Sequence, residues 1–168
     1  MAYKNVANAP LGMPLPGNVD ATALVPVGTI QRFIEDTLGE GEYIYLPGVA
    51  ATIANDLVEY DLAPGAQATV RHSNATASNS GRSLAVSTAA TIALTFGWFQ
   101  ISGLTIINTT AAQAAGNMFG TATAGAVGNT LDAGDQILNA RLSTATGVPA
   151  ALKAYATISR PFVQGNIT

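Results

Sequence analysis

No cysteine occurs in this chain, which excludes disulfides and thiolate metal sites together. Charge is scarce as well. Charged residues make up 10% of the sequence, against roughly a quarter in ordinary globular proteins, and the whole span from Ser83 to Leu131 has no Asp, Glu, Lys or Arg. A formal net charge of −3 without clustered basic residues leaves no footprint for neutralising phosphates, so direct nucleic-acid binding is not expected. The first residues, MAYKNVANAPLGMPLPG, have one Lys and no apolar run, which does not fit a secretory signal. The stretch from Ala89 to Ile107 is apolar but interrupted by Thr91, Thr95, Gly97, Gln100, Ser102, Gly103 and Thr105. Strands fit it better than a membrane span.

Catalytic patterns are equally thin. The single histidine, His72, stands beside Arg71 and a polar loop with no second ligand or acid partner nearby in sequence, and reads as a loop-edge residue. No GxSxG elbow, no GxGxxG and no phosphate loop ending in GK[ST] occurs. The acids between Glu35 and Glu42, and the pair Glu59 and Asp61, could in principle flank a glycosidic bond or collect calcium, but their spacing fits a solvated strand edge better. The sequons at Asn74, Asn108 and Asn166 are short patterns in a chain rich in Asn and Thr. The sequence therefore points to no catalytic residue, no cofactor-binding residue and no metal ligand, and a small enzyme is the least supported of the function classes.

What is present is a chain that is 48% hydrophobic over 168 residues, long enough for one domain with a real core. Residues 1 to 27 hold Pro10, Pro14, Pro16 and Pro26 with Gly12 and Gly17, a composition that permits neither helix nor central strand. This segment is expected to be an extended arm. Leu11, Met13, Leu15, Leu24 and Val25 keep it apolar, as a segment lying along a neighbouring subunit would be.

From Gly28 to the end, at residue 168, the pattern is a single β domain. GTIQRFIED alternates Ile30, Arg32 and Ile34 against Gln31, Phe33 and Glu35, a partly exposed strand. EYIYLPG sets Tyr43 and Tyr45 on one face and Ile44 and Leu46 on the other. Residues 56 to 62 and QATVRH are further strands, and SNATASNSGR is a polar surface loop. SLAVSTAATIALTFGWFQISGLTIINT reads as two or three β segments broken at Gly97 and Gly103, where a bulge, a bend or a close backbone approach is expected. TAAQAAG could form one helical turn. NMFGTAT and QILNARLSTATG read as a hairpin pair, and LKAYATISRPF as the closing strand. Short strands spaced by Gly- and Asn-rich turns, with no amphipathic helix, predict an all-β barrel or a jelly-roll-like sandwich.

Phe96, Trp98 and Phe99 could stack on a sugar, but Trp98 and Phe99 fall on opposite strand faces and do not make one platform. Core packing or a subunit contact is the better reading. Low charge density also fits a surface covered by partners, because interface cores are depleted in charge as interiors are. The first third of the chain is acidic and the rest mildly basic, which hints at head-to-tail packing of copies.

The segments GRSLAV, FGWFQISG, NMFGTATAGAVGN, AGDQILNARLST and ISRPF resemble the capsid decoration, or cement, proteins of tailed bacteriophages. The matching residues are Gly97, Trp98, Gln100 and Gly103, then Ala133, Gly134, Asp135, Ile137 and Ala140, then Pro161. The resemblance spans most of residues 28 to 163 and leaves the Pro-rich arm outside. It implies a β module, made in the bacterial host cytoplasm, that forms dimers or trimers and binds the major capsid protein lattice on the outer surface of the virion. The expected interface is Leu11, Met13, Leu15, Leu24, Val25, Phe96, Trp98 and Phe99. A tail-associated or receptor- and carbohydrate-binding β module is the alternative.

Overall fold

In a computed structural model the described residues are 2–6, 12–62, 68–71, 81–110, 112–123, 125–128 and 134–164. The described chain is all β, without a helix. Twelve strands follow in order: β1 Tyr3–Asn5, β2 Val19–Asp20, β3 Ile30–Glu35, β4 Gly39–Pro47, β5 Leu57–Asp61, β6 Ala68–Arg71, β7 Ser83–Ser87, β8 Phe96–Asn108, β9 Gly120–Thr123, β10 Ala126–Gly128, β11 Ile137–Leu142 and β12 Lys153–Val163. Ten of them form one antiparallel sheet, ordered β1-β3-β4-β8-β12-β7-β5-β6 with β2 on β8 and β11 on β12, while β9 and β10 make a small hairpin. The sheet is not closed into a barrel, and its layering is that of a sandwich.

β8 is the hinge of this arrangement. Its first half pairs with β4, from Phe96 opposite Pro47 to Ser102 opposite Glu42, and also meets β7 at Phe99 and Gln100. Its second half pairs with β12, from Ser102 opposite Ser159 to Asn108 opposite Lys153. The expected break at Gly103 is therefore a bend within one continuous strand. Gly103 sits at φ 108°, and a Cβ there would lie 2.8 Å from the Glu40 carbonyl oxygen, so only glycine lets β4 approach so closely. Gly97, the other expected break, lies inside the same strand.

Alternation along the central strands sends neighbouring side chains to different cores. Leu57 of β5 and Leu84 and Val86 of β7 join Ile107, Ala154, Ala156, Ile158, Ile137 and Leu142 in a cluster toward β11 and β12 that is aliphatic except for Phe119. Val58 and Ala85, one residue along, turn to Ile44, Leu46, Phe99 and Ile101 in a middle cluster. Tyr43 and Tyr45 of β4, Phe33 of β3 and Trp98 of β8 point the third way, into an aromatic cluster.

Two local readings are corrected. TAAQAAG forms no helix among its described residues and turns at Ala115 and Gly116, as expected of a segment too short to repay helix nucleation. β9 pairs with β10 and β11 with β12, so NMFGTAT and QILNARL share no continuous ladder and meet through the antiparallel bridge Gly120–Gln136 and the Ile137 and Leu142 N–H groups on the Phe119 and Asn117 carbonyls. A three-residue strand, Ala126–Gly128, adds to the strands expected from the sequence, its brevity and its one glycine leaving no alternation to read.

Candidate interface: the strapped aromatic face and the uncharged loop end

The aromatic cluster lies on the face of β3, β4 and β8 turned away from the middle core, and the N-terminal arm closes it. Phe33 meets Tyr43 and Trp98 edge-on, with ring centroids 5.5 and 5.0 Å apart, and Tyr45 meets Trp98 at 5.2 Å. Tyr3, Met13, Leu15 and Val25 pack over them. The polar atoms of these aromatics hold the arm in register. The Trp98 indole N–H donates to the Pro14 carbonyl at 2.7 Å, and the Tyr45 hydroxyl donates to Asp20 Oδ2 at 2.7 Å. The Leu24 N–H donates to the Tyr45 oxygen at 3.4 Å, and the Gly17 N–H to Thr88 Oγ1 at 3.0 Å. β2 adds a two-residue ladder to Gly97 and Phe96. Burial pushes the Tyr45 hydroxyl up to about 12, helped by its bond to Asp20, and burial with the nearby Glu35 charge pushes Tyr3 up to about 12.

The expected interface residues divide accordingly. Leu11 lies outside the described residues. Met13, Leu15 and Val25 are half-buried against the chain's own aromatics, and Phe96 is half-buried beside them. Trp98 is 1% exposed, and Phe99 is buried on the opposite face in the middle core. Leu24, 58% exposed, is the one of the seven described residues that stands free at the surface. A sugar-stacking role for Trp98 has no open ring face to use.

Other apolar side chains stand out instead. In the loop before β8, Leu94 is 89% exposed and Ile92 is 64% exposed; Ile53, on the neighbouring loop after β4, is 55% exposed. Each is held from beneath. Thr95 Oγ1 donates to the Ile92 carbonyl at 2.6 Å and accepts from the Ile92 N–H at 3.2 Å, while the Gly48 N–H donates to the Thr95 carbonyl at 2.6 Å. A Cβ on Gly48 would lie 2.6 Å from the Ile92 carbonyl oxygen, so the two loops touch backbone to backbone. Leu94 has φ 67°, a left-handed conformation that costs a non-glycine residue about 1–2 kcal/mol. Ile53 is held by its N–H on Asp56 Oδ2 at 3.0 Å and its carbonyl on Ser87 Oγ at 2.6 Å. TIALT alternates like a strand and contains none of the usual turn residues, so nothing in the sequence marks this loop.

Charge gathers at the other end of β4. Lys4 pairs with Asp36 at 2.6 Å, Arg32 with Glu40 at 2.6 Å and Arg160 with Glu42 at 3.2 Å. Glu35, buried, accepts the Thr37 and Leu38 N–H groups and shapes the β3–β4 turn. Acids of the first third thus meet cations of the same chain. Glu59 corrects a reading: it is buried, 3.6 Å from Arg82, while Asp61 is exposed, so the two are not a solvated pair. Asn108 is half-buried with its amide donating to Ala54 and Asp56, a poor glycan acceptor. His72, Asn74, Asn166 and most of SNATASNSGR lie outside the described residues. Among the described residues no group of three His, Cys, Asp or Glu could hold a metal ion, and no helix is long and apolar enough to cross a membrane.

Comparison with protein-family models, with curated proteins and with solved structures gives no match to this chain.

Proposed function

We propose that the chain is a capsid decoration protein that binds the outer surface of a major capsid protein lattice and stabilises the shell. The observation that carries this is Leu94, 89% exposed on left-handed backbone in a loop braced by Thr95 and Gly48. A braced, strained backbone that holds an apolar side chain in water pre-positions it, and a partner that covers it gains the free energy of its burial. Ile92 and Ile53 stand on adjoining loops, and neither loop 48–55 nor loop 88–95 contains a charged residue. Such a surface suits a docking contact with little desolvation cost.

The capsid lattice as the partner rests on the resemblance in the second half of the chain. A shell repeats its site many times, so contacts of modest affinity act together. A protein that binds the intact shell and not its opened form stabilises the former by mass action. This reading requires no catalytic group, consistent with Asp36, Glu40, Glu42 and Glu59 each being engaged by a cation of the same chain.

Co-sedimentation with shells lacking the protein tests the proposal. Wild type is expected to bind saturably and stoichiometrically, and the Ile92→Asn, Leu94→Asn double variant at least about tenfold more weakly, since each side chain carries about 1.5–3 kcal/mol of burial. Equal binding by both would remove the loop from the interface. Absence of wild-type binding would remove the capsid, and binding to a glycan array would then support the receptor-binding alternative.

A further inference from the structure

Two buried apolar side chains belong to none of the three cores. Leu38, in the turn between β3 and β4, and Ile106 of β8 are buried like core residues but lie outside the aliphatic, middle and aromatic clusters. Together they line a cavity of about 320 Å³. The ladder from β4 to β8 ends at Ser102, and β8 continues along β12 past the bend at Gly103, so the β3–β4 turn faces, across this cavity, strand that it does not pair with. Ile107, Ala154 and Ala156 enter the aliphatic core, which turns Ile106, Lys153 and Tyr155 to the other face, where the cavity lies.

The polar groups that line it are fixed in place but unspent. Glu35 is buried, and its Oε2 accepts the Thr37 and Leu38 N–H groups at 2.8 and 2.7 Å, while Oε1 has no hydrogen-bond partner among the described residues. Lys153, half-buried, makes no ion pair among them either. Its backbone is held on both sides, the N–H donating to the Ala150 carbonyl at 3.0 Å and the carbonyl accepting the Gly147 N–H at 2.9 Å. Asn55 is held likewise, its N–H on the Ser87 carbonyl at 2.9 Å and its carbonyl on the Asn108 N–H at 3.0 Å. The Asn55 side-chain amide and the Tyr155 hydroxyl have no partner among the described residues.

We infer that this cavity is a binding site for a small zwitterion of the free amino-acid class, with its ammonium on Glu35, its carboxylate on Lys153 and an apolar side chain against Leu38, Ile106 and the Tyr155 ring. The two lining charges select the class. A ligand of one sign would pair one of them and desolvate the other without compensation, whereas a ligand that carries both signs pairs each. Size and walls agree with this. The volume stands at the small end of the range of about 300–1,000 Å³ for small-molecule sites, which combine apolar walls with a few fixed polar groups. The site is independent of the capsid reading, since it needs no shell.

L-leucine and L-phenylalanine test it, beside two analogues of phenylalanine that each lack one charge, phenethylamine and hydrocinnamate. In amide NMR spectra of the full chain, both amino acids are expected to shift the Leu38, Ile106 and Tyr155 signals saturably, and each analogue to bind at least about tenfold more weakly than phenylalanine. Lys153→Met is expected to weaken phenylalanine about tenfold and to leave phenethylamine unchanged, a selectivity that loss of folding would not produce. Glu35→Gln reverses that pattern, weakening phenylalanine and phenethylamine and sparing hydrocinnamate. Signals that move for neither amino acid at about 20 mM, well above a millimolar dissociation constant, overturn the proposal. Equal binding of phenylalanine and its two analogues, or shifts confined to other parts of the chain, overturns it equally.

Discussion

The aliphatic core and the aromatic core are both buried, yet they are closed in different ways. The aliphatic core is bounded mainly by long ladders: β12 contributes Ala154, Ala156 and Ile158 to it while pairing along its length with β8 and β11, and Phe119 with Val127 of the small β9–β10 hairpin completes it. The aromatic core is bounded on one side by β3, β4 and β8 and on the other by a proline-rich segment with a two-residue ladder. Main-chain hydrogen bonding holds the first lid, and side-chain packing with a few polar anchors holds the second. Large rings make the second arrangement workable, because each buries about 150–250 Å² and its polar tip fixes the position of whatever covers it.

Substitutions in the two cores should separate these modes. Trp98→Ala removes the centre of the aromatic cluster and leaves the Pro14 carbonyl without its donor, and should cost about 3–5 kcal/mol in urea unfolding. Leu142→Ala in the aliphatic core should cost about 2–5 kcal/mol and lower the protection of all slowly exchanging amides together. Leu15→Asp should cost about 1.5–3 kcal/mol, with a different signature: amides of β2 and the Phe96–Gly97 segment lose protection while those of β12 keep theirs. If Leu15→Asp lowers protection uniformly, the arm is as integral as β12 and the contrast is wrong.

Alkali offers a softer way to open the same side. The Tyr3 and Tyr45 hydroxyls are raised to about 12 in the folded chain, by burial first, whereas an unfolded tyrosine ionises near 10. The folded state then holds its protons more tightly, so its stability is intact below about pH 10 and falls as pH rises from about 10 toward 12. Because Trp98 is the chain's single tryptophan and touches Tyr45, its fluorescence should shift within that window. A fluorescence change already complete near pH 10, where an exposed tyrosine ionises, would contradict the sealed aromatic face. The smallest effect is expected at the loop. Leu94→Gly relieves the left-handed strain and should raise stability by about 1 kcal/mol, while weakening shell binding.

How much of this the sequence reveals depends on what surrounds each strand. β4 is legible because Tyr43 and Tyr45 differ in kind from Ile44 and Leu46, and the structure sends them to different clusters. β12 is legible because Ala154, Ala156 and Ile158 alternate with polar residues, and they are buried. β7 is not two-faced in this sense: Leu84, Ala85 and Val86 are all buried, between two cores. A continuous apolar run records burial without saying which side faces what. The unmarked loop at Ile92 and Leu94 is illegible for a different reason. Its turn is made by the Thr95 side chain and by the absence of a Cβ on Gly48, a residue distant in sequence. Trp98 illustrates the limit from the other direction, since an aromatic flanked by Phe96 and Phe99 reads equally as contact surface or core, and the arm alone decides.

The most direct measurement is the melting temperature of shells lacking this protein, taken bare and after saturation with the purified chain. The account predicts a higher melting temperature for loaded shells, at a loading fixed by the lattice, and a smaller rise with the Ile92→Asn, Leu94→Asn variant at the same concentration. Shells that melt at the same temperature with and without the wild-type chain would contradict it.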